Sequence, residues 1–307
     1  MVKFAQPFYN NQIRCYPKWM HTFPISTLLL ALVSLLPTSA FAFPMPDAAD
    51  YALSEKEFRV ERAFGFDGII KLSNCSGALV RLTRSLDTDP ALLLTNGHCV
   101  GEFIEPGKII SNRPALRSVS ILNPSDGRIL GTVSTARIVY ATMTKTDLAV
   151  YTLQNTFLEI EQRFGVRAIH VAEKQGRVGD KVAVVSGFFR RVFSCSIHGF
   201  VPTLKEDKWT MKDSLRYSRP GCEVIGGTSG SPVIAITTGE VVGVNNTINE
   251  DGETCTMNNP CEVDAEGKVT VRKGTGYAQA THLIYTCLNS RGAMDLGMRG
   301  CLLPSGK

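Results

Sequence analysis

Gly226-Gly227-Thr228-Ser229-Gly230-Ser231-Pro232-Val233-Ile234-Ala235-Ile236 is a small-residue loop that runs directly into an apolar strand. The strand gives the serine a rigid support. Glycines at 226, 227 and 230 allow a tight turn with N–H groups facing inward, the geometry that binds an oxyanion. A serine hydroxyl is a weak nucleophile at neutral pH, so this reading requires a histidine base and a carboxylate to orient it. A lipase-type elbow does not fit, because Gly-x-Ser-x-Gly would need glycine where Ser231 stands.

Setting aside His21 in an N-terminal leader leaves His98, His170, His198 and His282. His98 stands out. Ala91-Leu92-Leu93-Leu94-Thr95-Asn96-Gly97-His98-Cys99 is an apolar strand ending in a small-residue turn. Asp147 opens the alternating run Leu148-Ala149-Val150-Tyr151-Thr152-Leu153 and is the candidate carboxylate. With these motifs in this order, 49 and 82 residues apart, the chain resembles trypsin-like (chymotrypsin-fold) serine peptidases. The Gly-x-Ser-Gly-Ser-Pro loop is similar to that of their bacterial and glutamyl-type branches. The resemblance implies that His98 takes the Ser229 proton, that Asp147 fixes the imidazole tautomer, and that the N–H groups of Gly227 and Ser229 hold the oxyanion. It implies no metal or organic cofactor.

Residues 1–42 read as an export signal: Lys3, Arg14, Lys18 and His21, then the apolar run Ile25 to Leu36, then Ala40-Phe41-Ala42, with cleavage expected after Ala42. The 12-residue run is too short to span a membrane. Met20 is an alternative start. Removing the leader takes away three Lys/Arg and no Asp/Glu, leaving 30 basic against 28 acidic side chains. That balance points to no nucleic acid and no strongly charged partner. Of nine cysteines, Cys15 leaves with the signal, and the remaining even set suits an oxidising, secreted or periplasmic compartment. The resemblance pairs Cys75 with Cys99, the bridge that clamps the histidine loop. Proximity or expected strand neighbourhood suggests Cys195 with Cys222, Cys255 with Cys261, and Cys287 with Cys301. A zinc site is disfavoured because there is no Cys-x-x-Cys.

Residues 43–65 form a polar arm or propeptide with a helix-like stretch from Ser54 to Arg62, and 66–307 form the peptidase domain. Short apolar or alternating runs recur: Gly68 to Leu72, Ala78 to Leu82, Ala91 to Leu94, Ser118 to Leu122, Arg128 to Val133, Arg137 to Ala141 and Leu148 to Leu153. After a connection over Gln154 to Gln175 come Lys181 to Ser186, Val192 to Ile197, Leu215 to Ser218, Pro232 to Ile236, Val241 to Asn245 and Lys268 to Arg272. Such spacing reads as an all-β sandwich or barrel, with a helical stretch from Ala280 to Leu288. The resemblance selects two six-stranded antiparallel β-barrels packed together, with His98 and Asp147 in the first, Ser229 in the second and the site between them.

Thr228 stands where many relatives carry an aspartate that pairs with a newly freed N-terminal amine. An oxyanion loop formed without N-terminal insertion is therefore expected. Glu223, six residues before Ser229, matches the offset of the acidic pocket base in trypsin-type members, which would give a preference for Arg or Lys; the alternative is an ordinary surface glutamate on a loop. The glutamyl-type pocket histidine has no counterpart in Val242 to Thr247. That segment is expected to pair with substrate by strand addition. Asp251, Glu253, Glu262 and Asp264 raise calcium as an option, with a disulfide-stapled hairpin preferred, and Arg190-Arg191 reads as a hairpin rim. The expected function is a monomeric, secreted serine endopeptidase acting on protein or peptide substrates. The alternative is a catalytically silent homologue that serves as a binding module.

Overall fold

The computed structural model describes residues 65–305; the expected leader, its cleavage site and the helix-like Ser54 to Arg62 lie outside them. The first half holds β1 (Ile69–Lys71), β2 (Ser76–Arg81), β3 (Pro90–Thr95), β4 (Ile109–Pro114), β5 (Ser118–Leu122), β6 (Ile129–Thr142), β7 (Leu148–Thr156) and β8 (Ile169–His170). Strands β1-β5-β6-β7-β3-β2 pair in that order, and β1 pairs with β2 to close a six-stranded barrel. The second half holds β9 (Lys181–Ser186), β10 (Arg191–Glu206), β11 (Trp209–Tyr217), β12 (Pro232–Ala235), β13 (Val241–Ile248), β14 (Cys261–Val263), β15 (Val269–Val271) and β16 (Gly276–Ala280). The order β11-β16-β13-β12-β9-β10 is closed by the β10–β11 pairing, giving a second ring of six.

Several strands are apolar on both faces, and the packing shows why. A strand alternates its side chains between two sides. In β7, Ala149, Tyr151 and Leu153 fill the first barrel, whereas Leu148 and Val150 face outward. In β9, Val182 and Val184 fill the second barrel, and Ala183 and Val185 meet Leu148, Val150, Ile234 and Val244 in a shared cluster. The outward faces of both barrels thus form a third core, which removes surface that either barrel alone would expose.

All four expected disulfides form: Cys75–Cys99, Cys195–Cys222, Cys255–Cys261 and Cys287–Cys301. Four local expectations are revised. The two runs expected at 128–133 and 137–141 are one strand, β6, with register irregularities at Thr135/Arg137 and Ile138/Tyr140. The runs expected at 192–197 and 215–218 are the ends of one long hairpin, β10–β11, which turns at Asp207 with φ 48°. The connection after β7 contains helix α1 (Phe157–Phe164), started by a reciprocal Thr156/Glu159 capping box and ended by Gly165 in the left-handed region. The expected C-terminal helix is a 3-10 helix at His282–Cys287 that has no side-chain cap bond, in keeping with the poor helix propensity of Ile284, Tyr285 and Thr286.

Within 249–264, the Cys255–Cys261 bridge staples a turn closed by the Thr256–Asn259 bridge, and β14 goes on to pair with β15 beyond it. The four acids of this segment do not converge: Glu262 is held by Arg216 and Arg272, Glu253 accepts from Thr256, and Asp264 accepts turn N–H groups. Arg190 lies in the turn between β9 and β10 with φ 55°, as a hairpin rim should.

Candidate active site

Asn96 ends the β3 run, and residues Gly97–Val100 form a single 3-10 turn that carries His98 out of the barrel wall. The Cys75–Cys99 bridge holds this turn against the start of β2. Asp147 precedes β7, which pairs with β3, so the two strands bring histidine and carboxylate together from 49 residues apart. His98 Nδ1 lies 2.6 Å from Asp147 Oδ2, and the His98 N–H donates to Asp147 Oδ1 at 3.0 Å. A carboxylate only accepts, so Nδ1 carries the proton and Nε2 is left as the basic nitrogen.

The environments of the two side chains differ. Asp147 is 3% exposed and His98 is 31% exposed. Burial alone would lower the imidazole pKa, but attraction and hydrogen bonding from Asp147 outweigh it, so the net shift of His98 is upward.

The Ser229 loop is held by both barrels. Its carbonyl accepts the Ser76 N–H at 2.8 Å, and the Gly230 N–H is shared between Asn245 O at 2.9 Å and Asn96 Oδ1 at 2.6 Å. A Cβ on Gly230 would stand 2.1 Å from Ser76 O, and φ is +78°; only glycine brings the loop this close to β2. Asn245 Nδ2 donates to Thr228 O and Oγ1 at 3.1 and 3.0 Å, Thr228 Oγ1 donates to Ile225 O at 2.6 Å, and Tyr217 donates to Asn245 Oδ1 at 3.0 Å.

His98, Asp147, Gly227 and Ser229 line one cavity. Within it the Ser229 hydroxyl donates to Asn246 O at 3.2 Å, so a turn about χ1 is needed before it engages the imidazole. Gly227 has φ +90°, and among the described residues its N–H and that of Ser229 make no hydrogen bond. The edge of β13 is open here: β12 pairs with it only as far as Val244, leaving Asn246–Ile248 along the cavity.

Glu223 is not brought to this cavity. It is exposed and faces a separate depression with Arg191–Ser194 and Pro220–Cys222. Three carboxylates that the sequence did not single out do line the cleft, Glu102, Glu206 and Glu250. Burial pushes the Glu206 carboxyl above its usual range, opposed by hydrogen bonds from Thr247 and from Asn258 N–H.

Two barrels packed face to face, with a Ser–His–Asp constellation in the cleft, define the class of chymotrypsin-fold proteins. The model of the trypsin-like peptidase domain matches residues 75–244, and the chain belongs to that family. Among solved structures, it is similar to the MamO protease domain of Magnetospirillum magneticum, at 15% identity over 76% of this chain and 100% of the other, TM-score 0.45. It is also similar to the Rv3671c protease of M. tuberculosis, at 15% identity over 90% and 100%, TM-score 0.43, and to Nocardiopsis protease, at 15% identity over 71% and 91%, TM-score 0.40. No curated protein matches the sequence.

Proposed function

We propose that the protein is a serine endopeptidase that cleaves peptide bonds through an acyl-enzyme on Ser229. The observation that carries this is the 2.6 Å contact between His98 Nδ1 and Asp147 Oδ2 beside Ser229 in one cleft. With Nδ1 held protonated, Nε2 accepts the Ser229 proton as the hydroxyl attacks the carbonyl and returns it to the leaving amine. The main-chain N–H groups of Gly227 and Ser229 are the candidate donors to the oxyanion. Asn246–Ile248 offers its open edge to the substrate backbone. The oxyanion loop is held by Thr228, Asn245 and Tyr217, which supports a loop that needs no inserted N-terminal amine, as in the bacterial branch.

Four disulfides favour folding in an oxidising compartment, and with the leader-like residues 1–42 they support an exported enzyme.

A fluorophosphonate that reacts with activated serine tests the reading. We expect a covalent adduct on Ser229 in the full chain, none in Ser229→Ala, and a strongly reduced rate in His98→Ala. A folded wild-type protein that forms no adduct and cleaves no peptide in a degenerate library would instead be a binding module.

A further inference from the structure

The tip of the β10–β11 hairpin crosses from the second barrel to the first. Trp209 Nε1 donates to Ile104 O at 3.0 Å, and Lys208 Nζ meets Glu105 at 2.7 Å. The Lys145 N–H donates to Thr210 O at 3.0 Å, and the Lys212 N–H to Lys145 O at 2.8 Å. On the other side, Asp207 N–H donates to Cys255 O at 2.8 Å. This anchored tip forms a wall of the cleft, and Glu206 is set into it at 9% exposure.

The Glu206 carboxylate accepts the Asn258 N–H at 2.9 Å. Among the described residues no lysine or arginine pairs with it: Lys208, two residues along the chain, is paired with Glu105, and the group whose positive charge acts on it is His98. A carboxylate withdrawn from water without a cation is costly, and a cation delivered to it recovers much of that cost. Phe103, Met143, Trp209 and Met211 line the same cavity. They offer apolar surface for a methylene stem, while the Phe103 and Trp209 rings already carry the Lys208 ammonium, which leaves the carboxylate of Glu206 as the partner for the charged end.

We propose that Glu206 determines substrate specificity by receiving the cation of a Lys or Arg side chain at the position immediately before the residue whose carbonyl is attacked. The proposal rests on the peptidase reading and adds a substrate class to it. A peptide paired with Asn246–Ile248 points successive side chains to opposite sides. The residue at the scissile bond turns toward Ile225–Gly227 next to Ser229, and its predecessor turns toward the wall of His98 and Glu206. Of the other glutamates in the cleft, Glu102 is already paired with Arg113, and Glu250 is exposed, where water and salt screen a cation pair. Glu223 faces another surface.

The test uses peptides that differ only at that preceding position, carrying Lys, Arg, norleucine or citrulline, with fluorophosphonate labelling of Ser229 run in parallel. In the wild type, kcat/KM for Lys and Arg is expected to exceed that for the uncharged analogues by about tenfold or more, the scale of a desolvated charge pair. Glu206→Gln is expected to abolish that ratio while still labelling at Ser229, and Glu223→Gln to leave it unchanged. A wild type that labels but shows no preference for charge at that position overturns the assignment without any variant. A labelling Glu206→Gln that keeps the preference overturns it equally. Failure of the wild type to label is a different result, and it removes the peptidase reading itself.

Discussion

Gly230 and Asn96, 134 residues apart, are joined by a 2.6 Å hydrogen bond from the glycine N–H to the asparagine Oδ1. The other end of the same amide donates to Asp147 O at 2.8 Å. One fully buried side chain therefore ties Asp147, at the head of β7, to the Ser229 loop, two residues before the histidine. Asn96→Ala would leave the buried Asp147 carbonyl without its partner and the Gly230 N–H with Asn245 O alone. We expect denaturant unfolding to show a loss of about 1–3 kcal/mol. Asn96→Asp keeps the acceptor but loses the donor and adds a negative charge beside Asp147, so kcat should fall more than KM rises, with a shifted pH profile. A variant with normal kcat and an unaltered profile would show that this amide does not position the site.

The upward shift of His98 has opposite consequences for rate and stability. A general base works only when neutral, so the acid limb of kcat/KM should have its midpoint above 6.5, the ordinary imidazole value. Removing the charge in Asp147→Asn should lower that midpoint and cut kcat on the order of 10⁴-fold. For folding, a pKa raised in the native state adds stability that is complete below the unfolded value and lost as pH rises through the folded one. The stability advantage of wild type over His98→Gln should therefore shrink from pH 6 to 8. An acid limb at or below 6.5 would contradict the Asp147 coupling.

The sequence showed the three motifs because each sits at a junction where strand pattern gives way to small residues: Gly97 before His98, Thr146 before Asp147, and Gly226 to Gly230 around Ser229. Strands buried on both faces, such as β9, were equally plain as apolar runs. Helix α1 was hidden in a presumed connection although Thr156 and Glu159 carry the capping-box spacing and Gly165 its stop. Glu206 and Asn96 gave no local signal. Each matters through tertiary partners, Asn258 for one and Asp147 with Gly230 for the other, and a polar residue at a strand end, as at Glu206, or opening a turn, as at Asn96, looks the same in the sequence whether it faces solvent or a cleft. Glu223 failed for the converse reason, since an offset counted along the chain does not determine where an exposed loop residue points.

Gly227 tests the oxyanion assignment. Its φ of +90° strains any L-residue, and an added Cβ would lie 3.1 Å from the Phe189 ring. Gly227→Ala should shift the loop and remove one donor, lowering kcat by about 10²–10³-fold. Binding of a substrate-like aldehyde that forms a tetrahedral adduct should weaken in parallel, while binding of a non-reactive product peptide should hold. Equal losses in both would mean that the glycine shapes the cleft and does not serve the oxyanion.

Thr228 is 1% exposed and hydrogen-bonded through its hydroxyl to Ile225 O and Asn245 Nδ2. These bonds fasten the turn between Ile225 and Ser229 from within the second barrel, with Tyr217 bracing Asn245 from below. Thr228→Val keeps the shape and deletes the hydroxyl, leaving the Ile225 carbonyl with the Thr228 N–H alone and Asn245 Nδ2 with Thr228 O alone. We expect a stability loss of about 1–3 kcal/mol and slower fluorophosphonate labelling of Ser229. Acetylating the mature N-terminal amine should leave labelling unchanged, because among the described residues neutral side chains hold the loop. If acetylation stopped labelling while the fold persisted, a buried terminal charge would have to be holding the loop, and the Thr228–Asn245 bonds would be secondary to it.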